Sequence, residues 1–310
     1  ILFCACAKTK SAGHSSERSP HATTVNLKAD RKVKTLKGSR PNIIFVITDD
    51  QGMGDLSCMG NKILQTPNID DFYQKSTRFT QYLVSPTCAP SRAAIMSGRH
   101  PFHVGVTHTV YQRERMALNA LTLPQTLQSA GYQTGLFGKW HLGDEEAYLP
   151  QSRGFDEVLM HGAGGIGQVK LGDFPPNADN PYFDNVLLHN DKIVKTKGFC
   201  TDLFFAAALS WTKEQLDKNK PFFTFLSLNA PHGPFFAPEA YKKRFSEQGY
   251  DEKTAGRYGM IENIDDNFGQ MMTQLAKWNA LENTLVIFTT DNGMSMPPMQ
   301  LNGKKVIPYN

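Results

Sequence analysis

Four short polar runs and one cysteine hold the side chains most suited to chemistry. The runs are Asp49-Asp50-Gln51-Gly52, Gly138-Lys139-Trp140-His141-Leu142-Gly143, Asn229-Ala230-Pro231-His232-Gly233-Pro234 and Asp291-Asn292-Gly293. Asp49, Asp50, Asp291 and Asn292 offer only oxygen ligands. Brought together, three carboxylates repel one another unless a cation lies between them. An all-oxygen set suits calcium (Ca²⁺), with Mg²⁺ the alternative, rather than zinc. Read alone, Asp49-Asp50 also fits a helix N-cap or turn, and Asp291-Asn292-Gly293 a plain turn. Lys139 alone fits a solvated charge, and His141 and His232 fit structural histidines.

Cys88 lies in Ser85-Pro86-Thr87-Cys88-Ala89-Pro90-Ser91-Arg92, followed by the apolar stretch 93–96. Proline is favourable at a helix start, where its missing N–H is not needed. This spacing predicts a helix with Cys88 at its N-terminus, where free N–H groups and the dipole favour negative charge. A lone cysteine is most often inert packing, but the polar, proline-bracketed setting argues against that here.

These residues need elements to hold them. Asn42-Ile-Ile-Phe-Val-Ile-Thr48 is a continuous apolar, β-branched run, which predicts a strand buried on both faces of a parallel sheet. Residues 132–137, 221–228 and 284–290 read as further strands, the first of them weaker. Helices are predicted over 122–130 (closed by Gly131), 202–216 and 258–278. Alternating strands and helices imply an α/β fold, a mostly parallel central sheet with helices on both faces. Each polar run directly follows a predicted strand. In open α/β sheets, sites lie beyond the carboxyl ends of the strands, so the four loops are expected to converge on one crevice.

Hydrophobic residues make up 40% of the 310 positions and charged residues 20%, which fits a chain with a packed core and not bulk disorder. The net charge of +4 is carried by the first forty residues, which hold nine Lys/Arg against two acids. The rest carries 24 basic against 27 acidic groups, so the body has no basic footprint for nucleic acid. Residues 8–40, rich in Ser, Thr, Lys and His, read as a flexible linker. Residues 1–7 are similar to the end of a signal peptide, which points to export to a periplasm or the extracellular space. Cys4 or Cys6 is the candidate for a lipid anchor, the only expected membrane attachment. Of the remaining cysteines, Cys58 and Cys200 are candidates for a disulfide. No Asn-x-Ser/Thr sequon occurs, which favours a bacterial exported protein.

Cys88-Ala89-Pro90-Ser91-Arg92 resembles the Cys-x-Pro-Ser-Arg signature of type I sulfatases, and the 138–143 run resembles their second signature. Asp49-Asp50, Pro231-His232 and Asp291-Asn292-Gly293 match in the family's order, from about Pro41 to Gly293. The resemblance implies an alkaline-phosphatase/sulfatase-like catalytic domain over 41–310, with its C-terminal part missing. It implies hydrolysis of sulfate esters on small molecules or glycans, and conversion of Cys88 to formylglycine by a formylglycine-generating enzyme. One hydroxyl of the hydrated aldehyde would attack sulfur and the other would expel sulfate. By the same resemblance Asp49, Asp50, Asp291, Asn292 and the modified Cys88 hold the metal, and Arg92 orients the nucleophile. Lys139 contacts sulfate, His141 assists breakdown of the sulfated enzyme, and His232 protonates the leaving alcohol.

Two departures stand out. The family's further lysine after the Asp-Asn pair is matched only loosely by Lys304 or Lys305 and is expected beyond Asn310. A family serine has no counterpart; the stretch 161–165 (His-Gly-Ala-Gly-Gly) occupies its region and reads as a flexible loop. His103, His108, Tyr111 and the residues from 161 to 183 are candidates to line the pocket. Two other functions are open at this point. One is a phosphodiester or phosphonate monoester hydrolase of the same superfamily; the other is a non-catalytic binder of sulfated glycans, which predicts a lost nucleophile or lost ligands.

Overall fold

The computed structural model describes residues 2–5, 38–166, 182–295, 299–302 and 304–306. The 8–37 part of the linker expected over 8–40, Cys6 and the 167–181 part of the expected pocket lie outside the described residues.

Five parallel strands form the centre of a nine-stranded sheet: β2 (Asn42–Thr48), β4 (Gln133–Lys139), β5 (Glu157–His161), β8 (Phe222–Ser227) and β9 (Thr284–Thr290). Their spatial order is β9-β2-β8-β4-β5. Both edges are antiparallel. One is formed by β6 (Val186–His189) and β7 (Lys192–Lys195), the other by β1 (Leu2–Ala5) and β3 (Thr77–Phe79). The stretch read as leader therefore contributes a strand paired between β9 and β3.

Alternation along β2 explains the layers. Ile44 and Val46 pack on the face covered by α1 (Pro67–Lys75), α4 (Cys200–Asp217) and α6 (Glu252–Lys277). Phe45 and Ile47 point the other way, toward α2 (Cys88–Ser97) and the hydrophobic residues around α3 (Leu123–Ser129). Both faces are dry, which is why the central strands read as unbroken apolar runs. The remaining helix, α5 (Glu239–Glu247), packs on α6. Among the described residues no helix is long and apolar enough to cross a membrane.

Element bounds differ from the sequence reading where polar residues begin or end an element. Lys139 is the last residue of β4 and does not follow it. α6 starts six residues earlier than 258, because the Asp251 side chain accepts from Lys253 N and Thr254 N and caps it. α3 is entered through a Thr122/Gln125 capping box. The candidate Cys58–Cys200 disulfide is absent. Both thiols are free and packed on one apolar cluster, and burial pushes Cys58 up to about 12, with Asp70 adding to the shift.

The strand ends are level. Thr48 pairs with Thr290, Gly138 with Ser227, and Lys139 with His161. Gly138 makes this possible on β4: it sits at φ +115°, and a Cβ there would lie 1.9 Å from the Ser227 carbonyl oxygen on β8. Gly138→Ala should therefore lose roughly 2–4 kcal/mol of stability, read from thermal or urea unfolding. A loss below about 0.5 kcal/mol would mean β4 and β8 do not meet this closely.

Candidate active site

The level strand ends bring the polar runs into one cleft. Asp49 follows β2 and is held by its amide on the Ala230 carbonyl at 3.2 Å. Asp291 follows β9, with its amide on the Thr48 carbonyl at 3.1 Å. Asp50 turns back in the left-handed region at φ +56°, its amide 3.3 Å from Asp291 Oδ1. Asn292 Nδ2 donates to Asp50 Oδ1 at 2.5 Å.

Cys88 enters from the opposite layer as the first residue of α2. Ser91 fixes the approach by accepting from Ser85 N at 2.9 Å. Pro90 falls at the third helical position and not the first, still among the residues whose N–H has no partner within the helix. Arg92, one turn on, is fully buried: Nε and Nη2 each reach Asp291 Oδ2 at 2.8 Å, and Nη1 donates to Ser227 Oγ. Lys139 Nζ donates to Asp49 Oδ2 at 2.5 Å with both side chains fully buried. Cys88 Sγ and one oxygen each of Asp49 and Asp291 lie within 4.8 Å of one another.

The electrostatics follow from this crowding. Burial, with the Asp49 carboxylate beside it, pushes Asp291 up to about 6. Burial alone would lower Lys139 and Arg92, but the adjacent carboxylates of Asp49 and Asp291 hold both above their ordinary values. Burial raises the Cys88 thiol to about 11, despite Lys139 nearby. An unmodified Cys88 is therefore protonated at neutral pH and poor as a thiolate nucleophile.

The chain's own residues fit a cation. Asp49 Oδ1 and Asn292 Oδ1 are buried without a hydrogen-bond partner. Together with Asp50 and Asp291 they form a hard-oxygen set whose mutual repulsion a divalent ion would relieve.

The two histidines are held differently. His232 Nδ1 donates to the Gly233 carbonyl at 2.6 Å, leaving Nε2 toward the cleft, 3.8 Å from Asp50 Oδ2. Tyr182 holds this loop through its hydroxyl, bonded to the His232 and Asn229 carbonyls. His141 Nε2 donates to the Thr109 carbonyl at 2.8 Å, and its buried Nδ1 has no partner. Burial, then the Lys139 charge, push His141 well below its ordinary value, so it is a neutral acceptor. Gly164 packs on this ring, where a Cβ would lie 2.2 Å from Nε2. The Gly-rich stretch is thus a packing surface for His141.

Four of the nine expected residues, Asp50, Cys88, His232 and Asn292, line one cleft together with Thr87 and Thr109; Asp49, Arg92, Lys139 and Asp291 are buried in the ion pairs beside Cys88, and His141 lines the neighbouring cavity. Of the pocket candidates, Tyr111 lines a neighbouring cavity beside His141, while the His103 ring lies tilted against His100. His161 is buried next to Lys139, and burial drives it down to about 3. Lys304 lies in the separate ribbon of β10 (Met299–Leu301) and β11 (Lys304–Val306), as does Lys305. Sequence reasoning missed Ser227 and Thr109. Ser227 lies within an apolar strand and Thr109 acts through its carbonyl, so neither leaves a mark in residue type.

A cysteine at a helix start, flanked by buried cations and a carboxylate cluster at the sheet's carboxyl edge, defines an α/β protein built around a metal-type polar site. The sulfatase family profile matches residues 41–309, and the chain belongs to the sulfatase family. It is 30% identical over 285 residues to N-acetylgalactosamine-6-sulfatase of Rattus norvegicus, covering 83% of this chain and 50% of the relative. It is 31% identical over 282 residues to arylsulfatase A of Homo sapiens, covering 85% of this chain and 54% of the relative. The crystal structure of Ps i-CgsB superposes with a TM-score of 0.72 at 32% identity, covering 83% of this chain and 59% of that one; a complex of it with k-i-k-neocarrahexaose is also solved. The chain spans about half the length of the curated relatives it matches.

A divalent cation held on this oxygen set should bind with a proton linkage set by Asp291. A ligand carboxylate must be ionised. With Asp291 titrating at about 6 in the metal-free protein, affinity is expected to be flat above neutrality and to weaken as pH falls below about 6. Calorimetry at pH 5.5 in two buffers of different ionisation enthalpy should show proton release on binding. Binding without proton release there would mean that Asp291 is not a ligand.

Proposed function

We propose that the protein hydrolyses sulfate monoesters, with Cys88 carried as formylglycine and a divalent cation, calcium by preference, on Asp49, Asp50, Asp291 and Asn292. The carrying observation is the buried convergence of Cys88, Arg92 and Lys139 on the carboxylate pair Asp49 and Asp291. Formylglycine supplies a hydrated-aldehyde nucleophile, and the cation supplies positive charge to a sulfate oxygen.

The chain's own groups then have defined tasks. Lys139 and Arg92, charged and fully buried, hold positive charge where the transferring group gains negative charge. His232, its Nδ1–H committed to Gly233, would give the leaving alcohol the proton that Nε2 carries when the ring is an imidazolium. His141, neutral with a free Nδ1, can accept a proton in the second half of the reaction. Charge favours sulfate: three carboxylates against two buried cations leave one negative charge, and a dication makes the site singly positive. That matches a sulfate monoester of charge −1 better than a phosphate monoester dianion.

The substrate class we infer is a sulfated saccharide, supported by the names of the relatives and by the oligosaccharide bound to Ps i-CgsB. Maturation by a formylglycine-generating enzyme and an exported location, with a lipid anchor on Cys4 or Cys6 as an option, belong to the same proposal.

The test is turnover by the full-length protein, co-expressed with the modifying enzyme, of an aryl sulfate and a matched aryl phosphodiester. Sulfate turnover should vanish in Cys88→Ala; preference for the phosphodiester would instead assign the chain to diester hydrolysis. His232→Ala should slow an alkyl sulfate by about 10²–10⁴-fold and 4-nitrophenyl sulfate far less, since the latter's leaving group needs no proton. Equal losses on both would remove His232 from the acid role.

A further inference from the structure

The left-handed turn at Asp50 is held from outside the site. Asp50 is the only proposed cation ligand at positive φ, a conformation that side chains other than glycine adopt at a cost. Its carbonyl accepts from Arg257 Nη2 at 3.3 Å. Arg257 lies in the second turn of α6, is 1% exposed, and forms a two-pronged pair with Asp55: Nη1 to Oδ1 at 2.9 Å and Nη2 to Oδ2. Asp55 is also buried, and its Oδ2 accepts from Gly52 N at 2.6 Å. One guanidinium therefore bonds both the turn carbonyl and the carboxylate that closes the same turn two residues on.

We propose that Arg257 and Asp55 are positioning residues that lock the Asp50 turn and so set the affinity of the site for its cation. This inference rests on reading Asp50 as a ligand. The fork geometry is the essential feature: five donors on a rigid plane can serve three acceptors, while a lysine ammonium is a single flexible point. Neither residue touches the cleft, and both are joined to it only through backbone.

The experiment is calcium titration by calorimetry on the full-length protein, with thermal melts alongside. Arg257→Lys keeps the charge beside Asp55 but loses the fork. The double variant Arg257→Met with Asp55→Asn removes both charges, so no buried ion is left unpaired. Each folded variant is expected to bind calcium about 10–100-fold more weakly. A dissociation constant within twofold of the parent in either folded variant overturns the proposal. If neither variant folds, Arg257 is a stability element and the positioning role falls. Absence of calcium binding by the parent protein would sink the metal reading itself, a separate outcome.

Discussion

Two ion pairs without solvent contact, Arg92–Asp291 and Lys139–Asp49, are what the rest of the site depends on. Removing four charges from water costs several kcal/mol per ion, which only close geometry and further hydrogen bonds offset. The sheet supplies that geometry. β2 and β9 are direct neighbours, so Asp49 and Asp291 leave the sheet side by side. β8 separates β2 from β4, and the long Lys139 side chain crosses that strand to reach Asp49. Arg92 arrives from the helical layer and ties Asp291 to Ser227 on β8. The two pairs thus stitch four strands together at one edge.

The same pairs keep the carboxylates usable. Three acids this close would otherwise drive one another toward protonation, and Asp291, raised by burial and then by Asp49, still shows part of that push. Each cation takes one oxygen of its partner, while Asp49 Oδ1 remains free. The site is therefore only partly neutralised and keeps one negative charge, which a divalent ion would turn into one positive charge.

Legibility in the sequence followed burial. β2, β8 and β9 are covered on both faces and so read as continuous apolar runs; β4, interrupted by Gly135 and Gly138, gave a weaker signal. The edge strands were illegible for the opposite reason: Thr77–Phe79 is exposed throughout, and β7 is nearly so. The start of α6 was hidden because Gly256 and Arg257 break the helical pattern, yet both are there for contacts. Gly256 admits the Phe235 backbone, and Arg257 reaches the Asp50 turn. The proposed ligands were legible because they are polar residues placed directly after apolar strands. Ser227 and the Thr109 carbonyl were not, since a small polar residue in a strand and a backbone oxygen look like nothing in particular.

The spacing of the cysteine motif has a mechanical reading in α2. Residues four apart share a helix face, so Cys88 at the first helical position and Arg92 one turn later present their side chains to the same carboxylates. Pro90 occupies a position whose N–H the helix could not use, and Ser91, turned away from the cleft, clamps the incoming chain at Ser85. Cys88, Pro90, Ser91 and Arg92 each answer a separate demand: a place beside the carboxylates, an unbonded helix start, a loop anchor and a buried cation. Moving Arg92 by one residue would rotate it about 100° away from Asp291, leaving a buried carboxylate uncompensated beside Asp49. The motif is short because one helical turn is the distance over which those demands have to be met.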